Sequence, residues 1–208
     1  MNNRNKRQGP PAPLEEYAII LDYLSLGYVQ TNRSKYKGNA IAQAIGRDYF
    51  TLLELTPKQG VDLEIQDAVF VGQGKKDKIC RIAKLNFEDL TATSRIELDY
   101  TIRDVVESQE EKFVKFFNEA GGVSIKLHKL ELIPGIGKKH MNAILDARKE
   151  KPFDSFADIS ERVPALTDPA GMIVNRIKQE LDTTESKRGK KKYHIFTAVP
   201  RRPKQNNR

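Results

Sequence analysis

Between Leu130 and Arg148 the chain reads L-E-L-I-P-G-I-G-K-K-H-M-N-A-I-L-D-A-R, and no other stretch leaves the backbone so little choice. Leu130 and Ile133 close a short helix and Pro134 stops it. Gly135-Ile136-Gly137 then makes a turn too tight for side chains before a second helix begins. Glycine on either side of Ile136 permits positive φ and close approach of another backbone. The unpaired amides that open the second helix can therefore point at an anion, and the helix dipole adds partial positive charge there. Lys138 and Lys139 follow at once, placed to flank a phosphate, while Ile136 turns inward as the plug between the helices. The site expected to hold a nucleic-acid backbone is thus Gly135, Ile136, Gly137, Lys138 and Lys139. A Pro-Gly helix–helix turn without a ligand is the plainer alternative.

At these positions the sequence resembles the helix-hairpin-helix family, whose pattern is roughly Leu-x-x-Leu-Pro-Gly-Ile-Gly-x-x-x-Ala-x-x-Ile. Leu130, Ile133, Pro134, Gly135, Ile136, Gly137 and Ile144 match, and Met141 stands where the family usually has alanine. A long side chain there opens the angle between the helices. The resemblance implies sequence-independent binding of a phosphate backbone.

The distribution of charge points the same way. The chain carries a net +8, but residues 1–13 hold +3 and residues 187–208 hold +9 with no acid in either, which leaves −4 for the body between them. Ends so basic attract a polyanion. Lys75, Lys76 and Lys78, in a glycine-opened loop, and Lys190, Lys191 and Lys192 near the C-terminus are the secondary basic contacts. With one cysteine and three scattered histidines, His128, His140 and His194, no metal-ligand spacing occurs, and neither a metal nor a cofactor is expected. Cys80 reads as a small buried residue in a strand. There is no membrane-length apolar run and no apolar segment behind the basic start, so a cytoplasmic location is expected; a monomer is expected as well.

Taken in order, residues 1–13 are basic and proline-punctuated and read as a disordered tail. Tyr17, Ile20, Leu21 and Leu24 keep the spacing of a helix over 14–24. Residues 28–46 resist assignment; the Asn32–Asn39 stretch interleaves Arg33, Lys35 and Lys37 with Tyr36, which suits phosphate contact and base stacking as well as a solvated loop. Asp48–Thr56, Ala68–Gly72 and Lys78–Asn86 read as strands. They imply either a small OB-like barrel or an ordinary sheet packed on the first helix. Ser94–Ala120 is the longest helical pattern, with a Ser94/Glu97 capping box, as one helix or two broken near Ser108. After the Gly135 turn come a helix over Ser155–Val163 and another from Asp168 and Pro169 to about Leu181. Their connection, V-P-A-L-T-D-P-A, looks like a degenerate second hairpin without the glycine pair, which assigns it to packing. Tyr193–Val199 alternates as a strand that returns to the sheet.

The pattern therefore predicts an α+β chain: a basic tail (1–13), an OB-like β-barrel or sheet domain with an N-terminal helix (14–93), and a connecting helix (94–122). An all-α tandem helix-hairpin-helix domain (123–185), a basic segment with the returning strand (186–199) and a second basic tail (200–208) complete it. Over Leu14 to about Pro203 it is similar to an archaeal family, domain of unknown function 655, whose members are regarded as RNA- or nucleic-acid-binding; the resemblance supplies no reaction. The function expected is non-enzymatic binding of RNA, in preference to DNA, in translation or RNA metabolism. Two other classes fit less well. One is a protein scaffold on a ribosomal or transcription assembly, or a factor in DNA repair. The other is an enzyme using Lys139 as base-excision glycosylases with this hairpin use their Schiff-base lysine, although those embed the hairpin in a much larger domain.

Overall fold

The computed structural model describes residues 15–27, 40–125, 127–182 and 193–197. The segments 1–14, 28–39, 183–192 and 198–208 therefore lie outside the described residues. Both predicted tails, Lys190–Lys192 and the Asn32–Asn39 stretch fall there.

Among the described residues the fold is mixed α+β, with a curled five-stranded antiparallel half-barrel and five α-helices. The strands are β1 (Tyr17–Leu24), β2 (Ile41–Gly46), β3 (Leu52–Pro57), β4 (Ala68–Phe70) and β5 (Ile79–Lys84), in the order β4-β1-β2-β3-β5. Two cores lie on opposite faces of this sheet. Ala18, Ile20, Ala42, Ala44, Leu53, Leu55, Val69 and Ile79 close on one another inside the curl. Leu21, Ile45 and Leu52 on the other face meet the helices. Central β2, I-A-Q-A-I-G, is consequently buried along its whole length, with alanines at the two positions that face into the curl.

The same two-sided burial explains why 14–24 is a strand and not the predicted helix. Ala18 and Ile20 face one core while Ile19 and Leu21 face the other, so the run is continuously apolar and fits a helical stripe equally well. A bulge between Ile20 and Asp22 shifts the register with β2. Cys80 corrects a second expectation. Edge strand β5 covers little, and the thiol is exposed, with Sγ 3.4 Å from the Pro57 carbonyl that accepts from it.

The long helical pattern divides into α1 (Ala92–Ser108) and α2 (Glu110–Glu119). Thr91, not Ser94, caps α1, accepting from Ser94 N at 3.0 Å. Its hydroxyl donates to Asp22 at 2.6 Å and its amide donates to the buried Gln43 side chain at 2.9 Å, so the helix start is pinned to β1 and β2. Then follow a short hairpin of β6 (Gly122–Ser124) and β7 (Leu127–His128), α3 (Lys138–Glu150), α4 (Phe156–Arg162) and α5 (Pro169–Leu181). Among the described residues no helix is long and apolar enough to cross a membrane.

Tyr193–Thr197 is not a strand of the sheet. The buried Glu180 carboxylate on α5 accepts from the amides of Ile195, Phe196 and Thr197 at 2.9 to 3.0 Å and from the Thr197 hydroxyl at 3.0 Å. Phe196 inserts edge-on between Phe113 and Phe116 of α2, with ring centroids 5.5 and 5.0 Å away. Successive amides converging on one carboxylate give this stretch the hydrogen bonds that a strand partner would have supplied, and its alternating pattern reflects no sheet face.

Glu180→Gln replaces that acceptor by an amide whose NH2 group opposes N–H donors and leaves at least one buried amide unpaired. It should lower unfolding stability by about 2 kcal/mol, read as a shift in the urea midpoint at unchanged slope. A midpoint equal to wild type would show that the clasp contributes nothing.

Candidate nucleic-acid interface

The turn is built from the His128 end. A one-turn 3-10 helix covers Lys129–Leu132, and His128 caps it: Nδ1 accepts from Leu130 N at 3.2 Å while the His128 amide donates to Glu131 at 2.8 Å. Leu130, Ile133 and Ile136 are buried in the helical core, and the Ile136 amide donates to the Ile133 carbonyl at 3.1 Å. Ile136 is thus the inward plug between the two helices. Met141 is half-buried against the same core.

Gly135 takes the left-handed backbone, φ +87°, and a Cβ there would stand 3.1 Å from Met172. Gly137, where glycine would also permit positive φ, does not adopt it. It sits at φ −91°, ψ −179°, as the N-cap of α3, and a Cβ on it would enter open space. No side chain caps α3, and the first bond back to the cap is Met141 N to the Gly137 carbonyl at 2.9 Å. The amides of the opening turn therefore have no side-chain acceptor at the cap. Lys138 and Lys139 are exposed there, with no ion pair among the described residues and no acid in the first helical turn. His140, which sequence reasoning weighed only as a metal ligand, lies beside them with Nδ1 2.9 Å from the Gly135 carbonyl.

The connection between α4 and α5 repeats this outline with its helix end closed. Leu166 is buried and its amide donates to the Val163 carbonyl at 2.9 Å, as Ile136 does to Ile133. At the start of α5, however, Asp168 accepts from Gly171 N at 2.9 Å and pairs with Arg103 of α1 at 2.6 Å. Burial would raise the Asp168 carboxyl, but the Gly171 amide and the Arg103 guanidinium outweigh it and hold it below the usual carboxylate range. One helix N-terminus carries its own anion and the other carries none.

The remaining basic positions divide. Lys75, Lys76 and Lys78 lie between β4 and β5, on the sheet half of the molecule. Lys78 is paired with Asp67 at 3.2 Å, the Lys76 carbonyl accepts from Lys58, and Lys75 is exposed. A cleft where α2 meets the sheet is lined by Glu15, Glu16 and Asp48 together with Lys112, whose ammonium donates to the Asp48 carbonyl at 2.7 Å. Burial holds that lysine below its ordinary value. The three carboxylates make the cleft a poor place for phosphate.

Residues 14–198 match the family described as "Protein of unknown function (DUF655)". The chain is 38% identical over 194 residues to the uncharacterized protein MJ0038 of Methanocaldococcus jannaschii, covering 93% of this chain and 84% of that protein. It is also similar to the crystal structure of Af1531 from Archaeoglobus fulgidus, a member of the same family, with a TM-score of 0.77 and 38% identity over 88% of this chain and all of that one.

The His128 cap makes the approach to the turn acid-sensitive. Burial first, then the nearby Arg148 charge, hold the imidazole below its ordinary 6.5, and Lys129 adds to this against Glu131. A folded value below the unfolded one gives stability that is complete above about pH 6.5 and is lost as pH falls towards the folded value. His128→Asn keeps an acceptor and cannot charge there. The wild type should lose more of its unfolding midpoint between about pH 7.5 and 5.5 than this variant does, and equal losses would refute the assignment.

Proposed function

We propose that this chain, which belongs to the DUF655 family of unknown function, is a non-enzymatic nucleic-acid-binding protein that grips a phosphate backbone at the Gly135–Lys139 turn of a helix-hairpin-helix. The observation that carries the reading is the open N-terminus of α3: a glycine cap with no side chain, bare amides, and Lys138 and Lys139 exposed in its first turn. The comparison with α5 in the same molecule sharpens it, since Asp168 occupies the equivalent place there. Backbone amides and a helix dipole suit a phosphate oxygen without regard to base, and the lysines add charge that salt screens. RNA is preferred to DNA on the family resemblance and on the curled sheet, read as OB-like, whose face and loops suit single strands.

A protein-scaffold reading has one observation of its own. Ile96 and Tyr100, one helical turn apart on α1, are 61% and 64% exposed, an apolar pair suited to a protein partner.

Fluorescence anisotropy with labelled RNA and DNA across a salt series tests the first reading. The affinity should fall steeply with salt, and Lys138→Ala and Lys139→Ala should each lower the slope of log K against log salt by about one, equally for every sequence. Gly137→Ala should weaken binding through its added methyl while leaving stability within about 0.5 kcal/mol, since its φ is ordinary. Lysine variants that bind as wild type, together with loss of binding on removal of Lys187–Arg208, would make the turn structural.

A further inference from the structure

Between α2 and the Gly135 turn the chain makes a small ribbon whose base is clamped and whose tip stands free in solvent. β6 and β7 pair in the register Gly122↔His128 and Ser124↔Leu127, which places Ile125 at the tip. The Lys129 amide donates to the Gly121 carbonyl at 3.0 Å and closes the ribbon. Behind it, Arg148 of α3 donates to the Phe117 and Ala120 carbonyls at the end of α2, at 2.8 and 2.9 Å, and His128 opens the 3-10 helix that leads into the turn. Ile125 is fully exposed, whereas the next most exposed large apolar side chain among the described residues, Leu26, is 72% exposed. Val123, two positions before it on β6, is exposed as well.

Resting on the reading that the Gly135–Lys139 turn holds a nucleic-acid backbone, we infer that Ile125 is a wedge that packs between unpaired bases of the same strand, so that the protein selects single-stranded RNA over duplex. Charge identifies the occupant. From Ala120 to Leu130 the sequence holds Lys126, His128 and Lys129 and no acid. The acids that flank this stretch are engaged, Glu119 with Lys115 at 3.8 Å and Glu131 with the His128 amide at 2.8 Å. An apolar tip on a cationic stem suits a polyanion that also offers apolar faces, and nucleobases supply such faces. Ile125 and Gly135 are ten residues apart, a span of at most about 36 Å, so one strand can reach both.

Shape decides the pairing state of the ligand. An A-form RNA duplex has a major groove too deep and narrow for side chains, and wedging open a paired step costs stacking and pairing together. In a single strand the bases can be splayed apart, and a branched aliphatic side chain enters between them at the loss of stacking alone. A bilayer is disfavoured by size, since a myristoyl chain buries far more hydrocarbon than one isoleucine and holds a protein only marginally on a membrane. The clamped base matters because a wedge acts only if it does not fold away when pushed. Here the closing bond from Lys129 to Gly121 and the Arg148 contacts anchor the ribbon to α2 and α3.

The test measures the full chain at fixed salt against a single-stranded RNA carrying 2-aminopurine at internal positions and against a duplex of the same sequence. Ile125→Ser should weaken binding to the single strand about tenfold, the burial of most of one isoleucine side chain, and leave duplex binding at the wild-type value. Wild type should raise the 2-aminopurine fluorescence by unstacking the bases, and Ile125→Ser should not. Ile125→Phe, which presents an apolar ring to the bases, should bind the single strand at least as tightly as wild type. Both variants should unfold at the wild-type urea midpoint, because the side chain they replace is fully exposed. If Ile125→Ser binds the single strand as wild type does while Lys138→Ala still weakens binding, the wedge is overturned and the turn stands. Equal losses on single strand and duplex would overturn insertion between bases. Ile125-dependent binding to phosphatidylserine vesicles, with RNA binding unchanged, would assign the tip to a bilayer and overturn the wedge. Absence of salt-dependent binding to either RNA would overturn both readings.

Discussion

What holds the irregular parts of this chain is a set of charged side chains that reach across from one element to satisfy the backbone of another. The buried Glu15 carboxylate accepts from the amides of Asp48, Tyr49 and Thr51, at 2.8 to 3.2 Å, and fixes the β2–β3 turn, where Phe50 sits at φ 57° in the core. Glu180 does the same for Ile195–Thr197. Arginines serve the carbonyls. Arg148 donates to Phe117 and Ala120 at the end of α2, at 2.8 and 2.9 Å, and Arg162 donates to Ala147, Lys151 and Pro152 at the end of α3. A charge buried without partners costs several kcal/mol, whereas one with every lone pair or proton engaged is tolerated and fixes a unique geometry. Removing either partner exposes the other to that cost, so these clasps hold the segments together more firmly than their number suggests.

The arginines also explain which helix end is left over. The C-terminal carbonyls of α2 are capped by α3, and those of α3 are capped by α4. A guanidinium at a helix C-terminus complements the dipole as well as the hydrogen bonds. At the N-terminal ends the pattern is carried by side chains of the helix's own cap: Thr91 for α1, Ser155 for α4 and Asp168 for α5. For α3 it is not. Arg148 at one end ties α3 to α2, and the buried Ile136 and Ile144 seat it on the core, so its unoccupied amides are held on a rigid element.

The local punctuation of the sequence was readable because its physics is local. Proline and glycine at 134, 135 and 137 define the turn, Asp168-Pro169 opens α5, and the Ser108 break separates α1 from α2, where the serine hydroxyl donates to the Val105 carbonyl at 3.0 Å. The misreadings occur where the deciding interaction is distant. Whether Tyr17–Leu24 is a strand depends on both faces being covered, by residues up to position 79 on one side and by the helices on the other. Whether 193–197 joins the sheet depends on Glu180, whose role has no signature in the residues around it. The clasp of Glu15 spans 33 to 36 residues and shows no periodicity. Within the turn the backbone atoms were legible and the two histidines were not, because a histidine acting as an N-cap or as a carbonyl's donor has no spacing rule to announce it.

The two hairpin-like connections share an outline and differ in what closes the helix end that follows. Each buries an isoleucine or leucine plug whose amide returns to the preceding turn, Ile136 to Ile133 and Leu166 to Val163. At the helix that follows, one has Gly137 and the other Asp168. Gly171 is part of that choice: a Cβ there would stand 2.1 Å from the Asp168 carboxylate, so glycine lets the acid fold back over its own helix end. Arg103 then neutralises the acid from α1. The arrangement is self-sufficient and ties α5 to α1, which is what a connection used for packing requires. Around Gly137 every neighbouring choice runs the other way, with no acid in the first turn, two exposed cations and a space where a side chain would stand.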